Sequence, residues 1–172
     1  MLALLKSPSF DLRTYSPRRY IVAATDAMSG QKAFTFELAQ AQAHFPTPNP
    51  PPSITSIPRS REVGQSFITS IWTTLYAALH AVRAVVVFQP DLILTNGPGT
   101  ALPVVVAGII ICRWILGVST SKVVFVESIA RVRKLSLTGK FLYHLRLTDE
   151  FLVQWDDLLA SYPRVTYAGR VM

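Results

Sequence analysis

With 172 residues, half of them hydrophobic, the chain is long enough for one well-packed domain and too apolar for a disordered one. Its 17 Lys and Arg against 10 Asp and Glu leave a net charge of +7, which suits nucleic acid, acidic lipid or phosphorylated substrates. Basic residues do not interleave with aromatics, which argues against nucleic acid; one cysteine, Cys112, excludes a disulfide framework; His44, His80 and His144 lack metal-ligand spacing.

Met1 to Lys6 is too short to span a membrane, has no signal-peptide pattern, and reads as the last turns of a helix. Tyr20 to Ala24 is a short β-type run, followed by good helix formers from Ala27 to Ala43. Residues 46–52 hold five prolines in seven positions and predict an extended loop. Ile54 to Ile57 is a strand candidate stopped by Pro58, and Gln65 to Gln89 reads as a long helix. Leu92 to Leu94 is the next strand, followed by a helix over Ala101 to Leu116. Val123 to Val126 is continuous and β-branched, the pattern of a strand buried on both faces. A helix over Leu137 to Leu147, a strand over Phe151 to Gln154, a helical turn over Trp155 to Ala160 and a strand over Val165 to Tyr167 complete the chain.

Two stretches are long or apolar enough to raise the question of a membrane span. Phe67 to Phe88 contains Thr69, Ser70, Thr73, Thr74, His80 and Arg83; Leu102 to Leu116 is short and contains Arg113. Both read as helices packed on a sheet, with shallow interfacial binding as the second choice. Alternation of strands and helices predicts a single α/β domain over residues 1–172, a doubly wound, mostly parallel Rossmann-like sheet.

In such sheets ligands bind beyond the carboxyl ends of the strands. Polar residues come directly after each predicted strand: Thr25-Asp26, then Arg59-Ser60-Arg61-Glu62, then Asn96-Gly97-Pro98-Gly99-Thr100. Next come Glu127-Ser128 with Arg131, Arg133 and Lys134, and finally Gln154-Trp155-Asp156-Asp157. Each cluster alone has a plainer reading as a helix cap, a tight turn or a solvated charge run. Five returns to one rim favour a site for an anion, with backbone NH groups at the Gly97/Gly99 turn and guanidinium groups from Arg59, Arg61, Arg131 and Arg133. Leu102 stands where a dinucleotide fingerprint needs its third glycine, and neither a Walker lysine nor a nucleophile elbow occurs. No metal or cofactor is called for.

Several motifs occur together in order: Tyr20-Ile21-Val22 with Thr25-Asp26-Ala27-Met28-Ser29, Arg59 through Ser66, Pro90 through Thr100, Val126 through Arg133, Leu135 through Lys140, and Phe151 through Trp155. In this the chain resembles the Alg14 family, membrane-anchoring, acceptor-binding subunits of the UDP-N-acetylglucosamine transferase of dolichol-linked oligosaccharide synthesis. The resemblance covers nearly the whole chain. It implies the acceptor-side half of a GT-B glycosyltransferase, working with a separate catalytic Alg13-type subunit that binds UDP-N-acetylglucosamine. The implied place is the cytosolic face of the endoplasmic reticulum membrane, extending to the nuclear envelope. The implied reaction is β-1,4 transfer of N-acetylglucosamine to N-acetylglucosaminyl-diphosphodolichol.

Members of that family begin with an apolar membrane helix, a strand and a Gly-rich loop, whereas Met1 to Leu5 corresponds only to the helix after that loop. The first strand is therefore expected to be missing. Asn96, Gly97, Gly99, Thr100 and the four arginines are the expected diphosphate ligands, with Glu127 and Asp26 as weaker candidates for sugar contacts or base catalysis. Tyr167, Gly169 and Val171 are the expected contacts to the partner subunit. Two rivals stand beside this reading: a self-sufficient Rossmann-type enzyme acting on a small phosphorylated substrate, and a non-catalytic recruitment scaffold.

Overall fold

The computed structural model describes residues 2–6, 11–44, 53–59, 67–96, 101–115, 117 and 121–170. The six predicted strands all form: β1 Arg19–Ala23, β2 Ser53–Ile57, β3 Leu92–Asn96, β4 Lys122–Val126, β5 Glu150–Val153 and β6 Thr166–Tyr167. Helices α1 Leu2–Leu5, α2 Ala27–His44, α3 Phe67–Phe88, α4 Ala101–Val106, α5 Leu137–His144 and α6 Asp157–Ser161 connect them. Every strand pairing is parallel, as alternating strands and helices require. The expected α/β parallel architecture is what forms.

Among the described residues the strands form two sheets. β1 pairs with β2, and β3 to β6 pair in chain order as a second sheet. In the larger sheet Val123, Phe125, Val126 and Val153 are almost wholly buried, because helices cover a sheet that has neighbours on both sides. Phe125 and Phe151, partners in register, place their rings 4.9 Å apart. In the smaller sheet only Ala23 and Ile57 are fully buried.

α2 packs on β1 and β2, whereas α3 packs on α4, on the stretch that continues it, and on β2. The spacing of Ala77, Ala81, Ala84 and Val85 gives α3 a narrow, small-residue face against the core, where Ile57, Ile93, Val104 and Val105 meet it.

Several boundaries differ from the sequence reading. The helix predicted for Ala101 to Leu116 is α-helical only to Val106 and continues as a π-helical stretch over Ala107–Ile115. α5 stops at His144 rather than Leu147: Arg146 takes a left-handed conformation (φ 53°). Leu147 N then donates to Leu142 O and Arg146 N to Tyr143 O, the pattern that closes a helix. The last strand shrinks to Thr166–Tyr167 at the sheet edge. The proline-rich segment 46–52 lies outside the described residues.

Candidate functional site: the carboxyl rim of the sheets

A cavity of about 1160 Å³ runs along β1 and β3, and Asp26, Arg59 and Asn96 line its end at the carboxyl side of the strands. These residues come after or at the end of three different strands and belong to both sheets. Asp26 also starts α2: its Oδ1 accepts from Ser29 N at 3.0 Å and its Oδ2 from Ser29 Oγ at 2.7 Å. Those bonds, with smaller attraction from Arg59 and Lys32, hold the Asp26 carboxyl below the ordinary carboxylate range. The capping role left open by the sequence is real, and the same exposed carboxylate lines the cavity.

Beyond β4 the arrangement changes. Glu127 is 1% exposed and its carboxylate is turned inward. Oε1 accepts from Ser128 N at 2.8 Å; Oε2 accepts from Ser136 N at 2.9 Å and from Ser136 Oγ at 3.0 Å. Ser136 Oγ in turn accepts from Gly139 N and caps α5. The fit is close: a Cβ on Gly139 would collide with Glu127 Oε2. Two more bonds close the loop from outside, Gln154 Nε2 to Glu127 O at 2.9 Å and Trp155 Nε1 to Ile129 O at 2.6 Å. Glu127 thus ties both ends of loop 128–136 together, and that loop carries Arg131 and Arg133 exposed to solvent. These two arginines do not line the large cavity, although Leu137 and Thr138 at the end of the same loop do.

Tyr167 ends β6, is 47% exposed, and is followed by Ala168 N donating to Val153 O. Gly169 has φ +72°, a conformation that side-chain-bearing residues rarely take. The turn there brings the Arg170 guanidinium over the Trp155 ring, 4.4 Å from its centroid. Arg170 was absent from the sequence-derived set, although it stands just past the last strand as the other rim residues do. Arg61, Gly97, Gly99, Thr100 and Val171 lie outside the described residues.

The sequence reading also missed a polar cluster on the α2 face. Arg18 Nε and NH2 donate to the two oxygens of Glu37 at 2.7 and 2.8 Å, and Tyr20 OH donates to Oε1 at 2.5 Å. Burial opposes the Glu37 charge, but the bonds from Arg18 and Tyr20 outweigh it and keep the carboxyl below its ordinary value. Burial, with the Glu37 hydrogen bond and charge, pushes the Tyr20 hydroxyl well up. Only the Glu at an otherwise buried helix position, four residues after Ala33, hints at this cluster in the sequence.

Among the described residues, no group of three or more His, Cys, Asp or Glu side chains is placed to hold a metal ion. Among the described residues the rim offers Arg59, Asn96 and the Asp26 carboxylate at the cavity, and a hydrogen-bonded loop bearing two solvent-facing arginines. Guanidinium groups suit an anion, and an exposed carboxylate suits the proton of a neutral hydroxyl.

Comparison with known proteins agrees in one direction. The human UDP-N-acetylglucosamine transferase subunit ALG14 is 42% identical over 172 residues, spanning 100% of this chain and 76% of that protein. The rat subunit of the same name is 45% identical over 158 residues, 92% of this chain and 71% of the relative. The Schizosaccharomyces pombe subunit is 38% identical over 176 residues, 99% and 76% respectively. Among solved structures, Acinetobacter baumannii MurG is similar with a TM-score of 0.44 at 18% identity, over 80% of this chain and 40% of that one. A family model described as "Oligosaccharide biosynthesis protein Alg14 like" matches residues 1–171, and the chain belongs to the Alg14 family.

Proposed function

We propose that the chain is the acceptor-binding subunit of a UDP-N-acetylglucosamine transferase. In this reading it forms one half of a GT-B-type enzyme and holds a sugar on a lipid-linked diphosphate. An Alg13-type subunit brings UDP-N-acetylglucosamine and docks near Tyr167, Gly169 and Val171. The observation that carries the proposal is the meeting of Asp26, Arg59 and Asn96, which follow or end separate strands, at the carboxyl end of one large cavity. A diphosphate seeks cations and amide donors; the candidates are Arg59 at the cavity, Arg61 and residues 97–100 by their place in the sequence, and the exposed loop arginines Arg131 and Arg133.

In the transfer the acceptor hydroxyl oxygen bonds to the anomeric carbon, the bond from that carbon to UDP breaks, and UDP leaves with the electron pair. The hydroxyl proton passes to a base. Asp26 suits that role better than Glu127, since its carboxylate is exposed at the cavity while that of Glu127 is buried against its own loop. Glu127 is a positioning residue, acting through Arg131 and Arg133.

The endoplasmic reticulum membrane, at its cytosolic face, is the proposed location. Ile71, Trp72, Leu75, Tyr76 and Leu79 form one exposed stripe on α3, opposite its alanine face, with Trp72 73% exposed. The helix is long and apolar enough to cross a bilayer over Ile71–Phe88, but its other face belongs to the core. It therefore suits lying in the interface beside a lipid-borne substrate, aided by the net charge of +7.

The test is reconstitution with the partner subunit and a dolichyl-diphosphate-linked acceptor. Arg59→Ala and Arg61→Ala should each lower kcat/KM about tenfold or more, the cost of one charge-assisted contact. Unchanged transfer in Arg61→Ala and Gly99→Leu would sink the site assignment. Turnover by the chain without a partner would favour the self-sufficient enzyme, and harmless rim substitutions with lost association on changing Tyr167 would favour the scaffold. Liposome flotation with Trp72→Glu and Leu75→Glu tests the membrane face; undiminished binding would remove α3 from it.

A further inference from the structure

Three side chains run across the carboxyl rim of the larger sheet, each reaching from one strand end to the next. Gln154, directly after β5, donates to Glu127 O at 2.9 Å. Trp155 beside it donates from Nε1 to Ile129 O at 2.6 Å, so both bonds land on the segment that leaves β4. Arg170, past the end of β6, lays its guanidinium over the Trp155 ring, 4.4 Å from the centroid. The order in space follows the order of the sheet, β4-β5-β6. At one end stands loop 128–136 with Arg131 and Arg133 exposed; at the other stands the exposed Tyr167 and the turn after it.

The links differ in strength. Gln154 is almost wholly buried, which makes its bond part of the core. Trp155 is half-buried and Arg170 is exposed. A guanidinium on an aromatic ring shifts an equilibrium by about two- to fivefold at an exposed site, and by about thirtyfold once water is removed. Gly169, with φ +72°, sets the direction of Arg170, and among the described residues an added Cβ there meets nothing within 4 Å. Backbone conformation therefore makes the turn, and the stack lies open to whatever covers the end of β6.

We infer that Trp155 and Arg170 are positioning residues that couple docking of the partner subunit at the end of β6 to the arginine loop after β4. The inference rests on the proposed function for where the partner docks and for what the loop arginines hold. A partner seated on Tyr167 and Gly169 takes water off the Arg170–Trp155 stack and strengthens it. The steadied ring keeps Nε1 on Ile129 O, two residues before Arg131, and the loop spends less time away from the geometry that presents Arg131 and Arg133. Trp155 and Arg170 act through the loop and not on the acceptor. Because coupling between sites is reciprocal, a diphosphate held by the loop arginines tightens partner binding by the same factor.

The test uses the reconstituted transferase with four forms of the chain: parent, Arg170→Ala, Arg170→Lys and Trp155→Phe. Hydrogen exchange resolved to single amides is followed with and without the Alg13-type partner. In the parent, partner binding should slow exchange at Tyr167 and Gly169 and, at a distance, at Ala130 and Arg131 by about fivefold or more. Arg170→Ala should keep the first effect and lose the second. Arg170→Lys, whose ammonium also sits on a ring, should restore part of it. Trp155→Phe, which keeps a ring and loses the NH, should abolish it. At saturating donor, Arg170→Ala and Trp155→Phe should raise acceptor KM about five- to tenfold with kcat within about twofold. A merely structural loss would lower kcat through the folded fraction and leave KM unmoved. With the dolichyl-diphosphate-linked acceptor present, partner affinity should rise about fivefold for the parent and stay level for Arg170→Ala.

Equal slowing at Ala130 and Arg131 in the parent and Arg170→Ala overturns the inference, as does an acceptor KM unchanged in both Arg170→Ala and Trp155→Phe. Slowing at Tyr167 and Gly169 with none at Ala130 and Arg131 overturns it and leaves the docking reading intact. No slowing at Tyr167 and Gly169, in a complex that transfers sugar, overturns the docking reading as well.

Discussion

The two sheets solve the same problem with different means. β3 to β6 have neighbours on both sides at β4 and β5, and the central residues of those two strands are buried largely among apolar side chains. β1 and β2 have one neighbour each, and most of their residues are only half-buried. What steadies them is polar: Arg18 and Tyr20 on Glu37, Arg19 on Phe88 and on Ser53 Oγ. A sheet with partners can rely on the hydrophobic effect, while a pair of strands at an open edge needs fixed contacts to hold its register.

The sharpest way to break the contrast is at Glu127. Glu127→Ala leaves Ser128 N, Ser136 N and Ser136 Oγ without their acceptor in a dry pocket. It should cost about 3 kcal/mol or more, or roughly 6–12 °C in Tm for a domain this size. Gly139→Ala forces the same carboxylate aside and should also destabilise, with Glu127→Gln in between. If calorimetry finds these variants as stable as the parent, the loop is not held as described.

Glu37→Ala strands the Arg18 guanidinium and should cost about 2–3 kcal/mol, with exchange rising first in β1 and β2 while β4 stays protected. A uniform rise across both sheets would show that they unfold as one unit. Acid should act in the same order. Glu37 has a depressed carboxyl value, so its contribution is fully present above the ordinary carboxylate range and is lost as pH falls through its lower folded value. Glu37→Gln should flatten stability against pH in that acidic window.

At the amino edge of the larger sheet, Arg113 meets Asp149 through two 3.0 Å bonds, and Asp149 Oδ2 also accepts from Val123 N. The pair is about one-third exposed, so Arg113→Ala should cost only about 0.5–1 kcal/mol. Smallest of all, Arg146→Gly relieves a left-handed residue at the end of α5 and should change stability by less than about 1 kcal/mol, upward. A loss of stability there would mean that the Arg146 side chain contributes more than its backbone strain costs.

Much of the fold was legible because its signals are local. Val123 to Val126 is continuous and β-branched, so it had to be a covered strand, and it is. The rim was legible as a pattern, since polar residues recur after each strand and parallel strands all end on one side. What lay beyond reach was the direction in which a side chain turns. Glu127 and Asp26 look alike as carboxylates after strands, but one faces a loop and the other a cavity, because Ser136 and Gly139 arrive from nine and twelve residues away. Arg170 acquires its place only because Trp155 is its neighbour in space.

The sequence by itself determined the elements, their parallel alternation and the polar rim, since period, turn chemistry and β-branching act over a few residues. Only the tertiary structure decided that the sheet is divided between β1 and β3, that α3 spans the division, and that Glu127 holds a loop. Those outcomes depend on which edges and side chains meet across the fold, and meetings at long sequence separation leave no local trace.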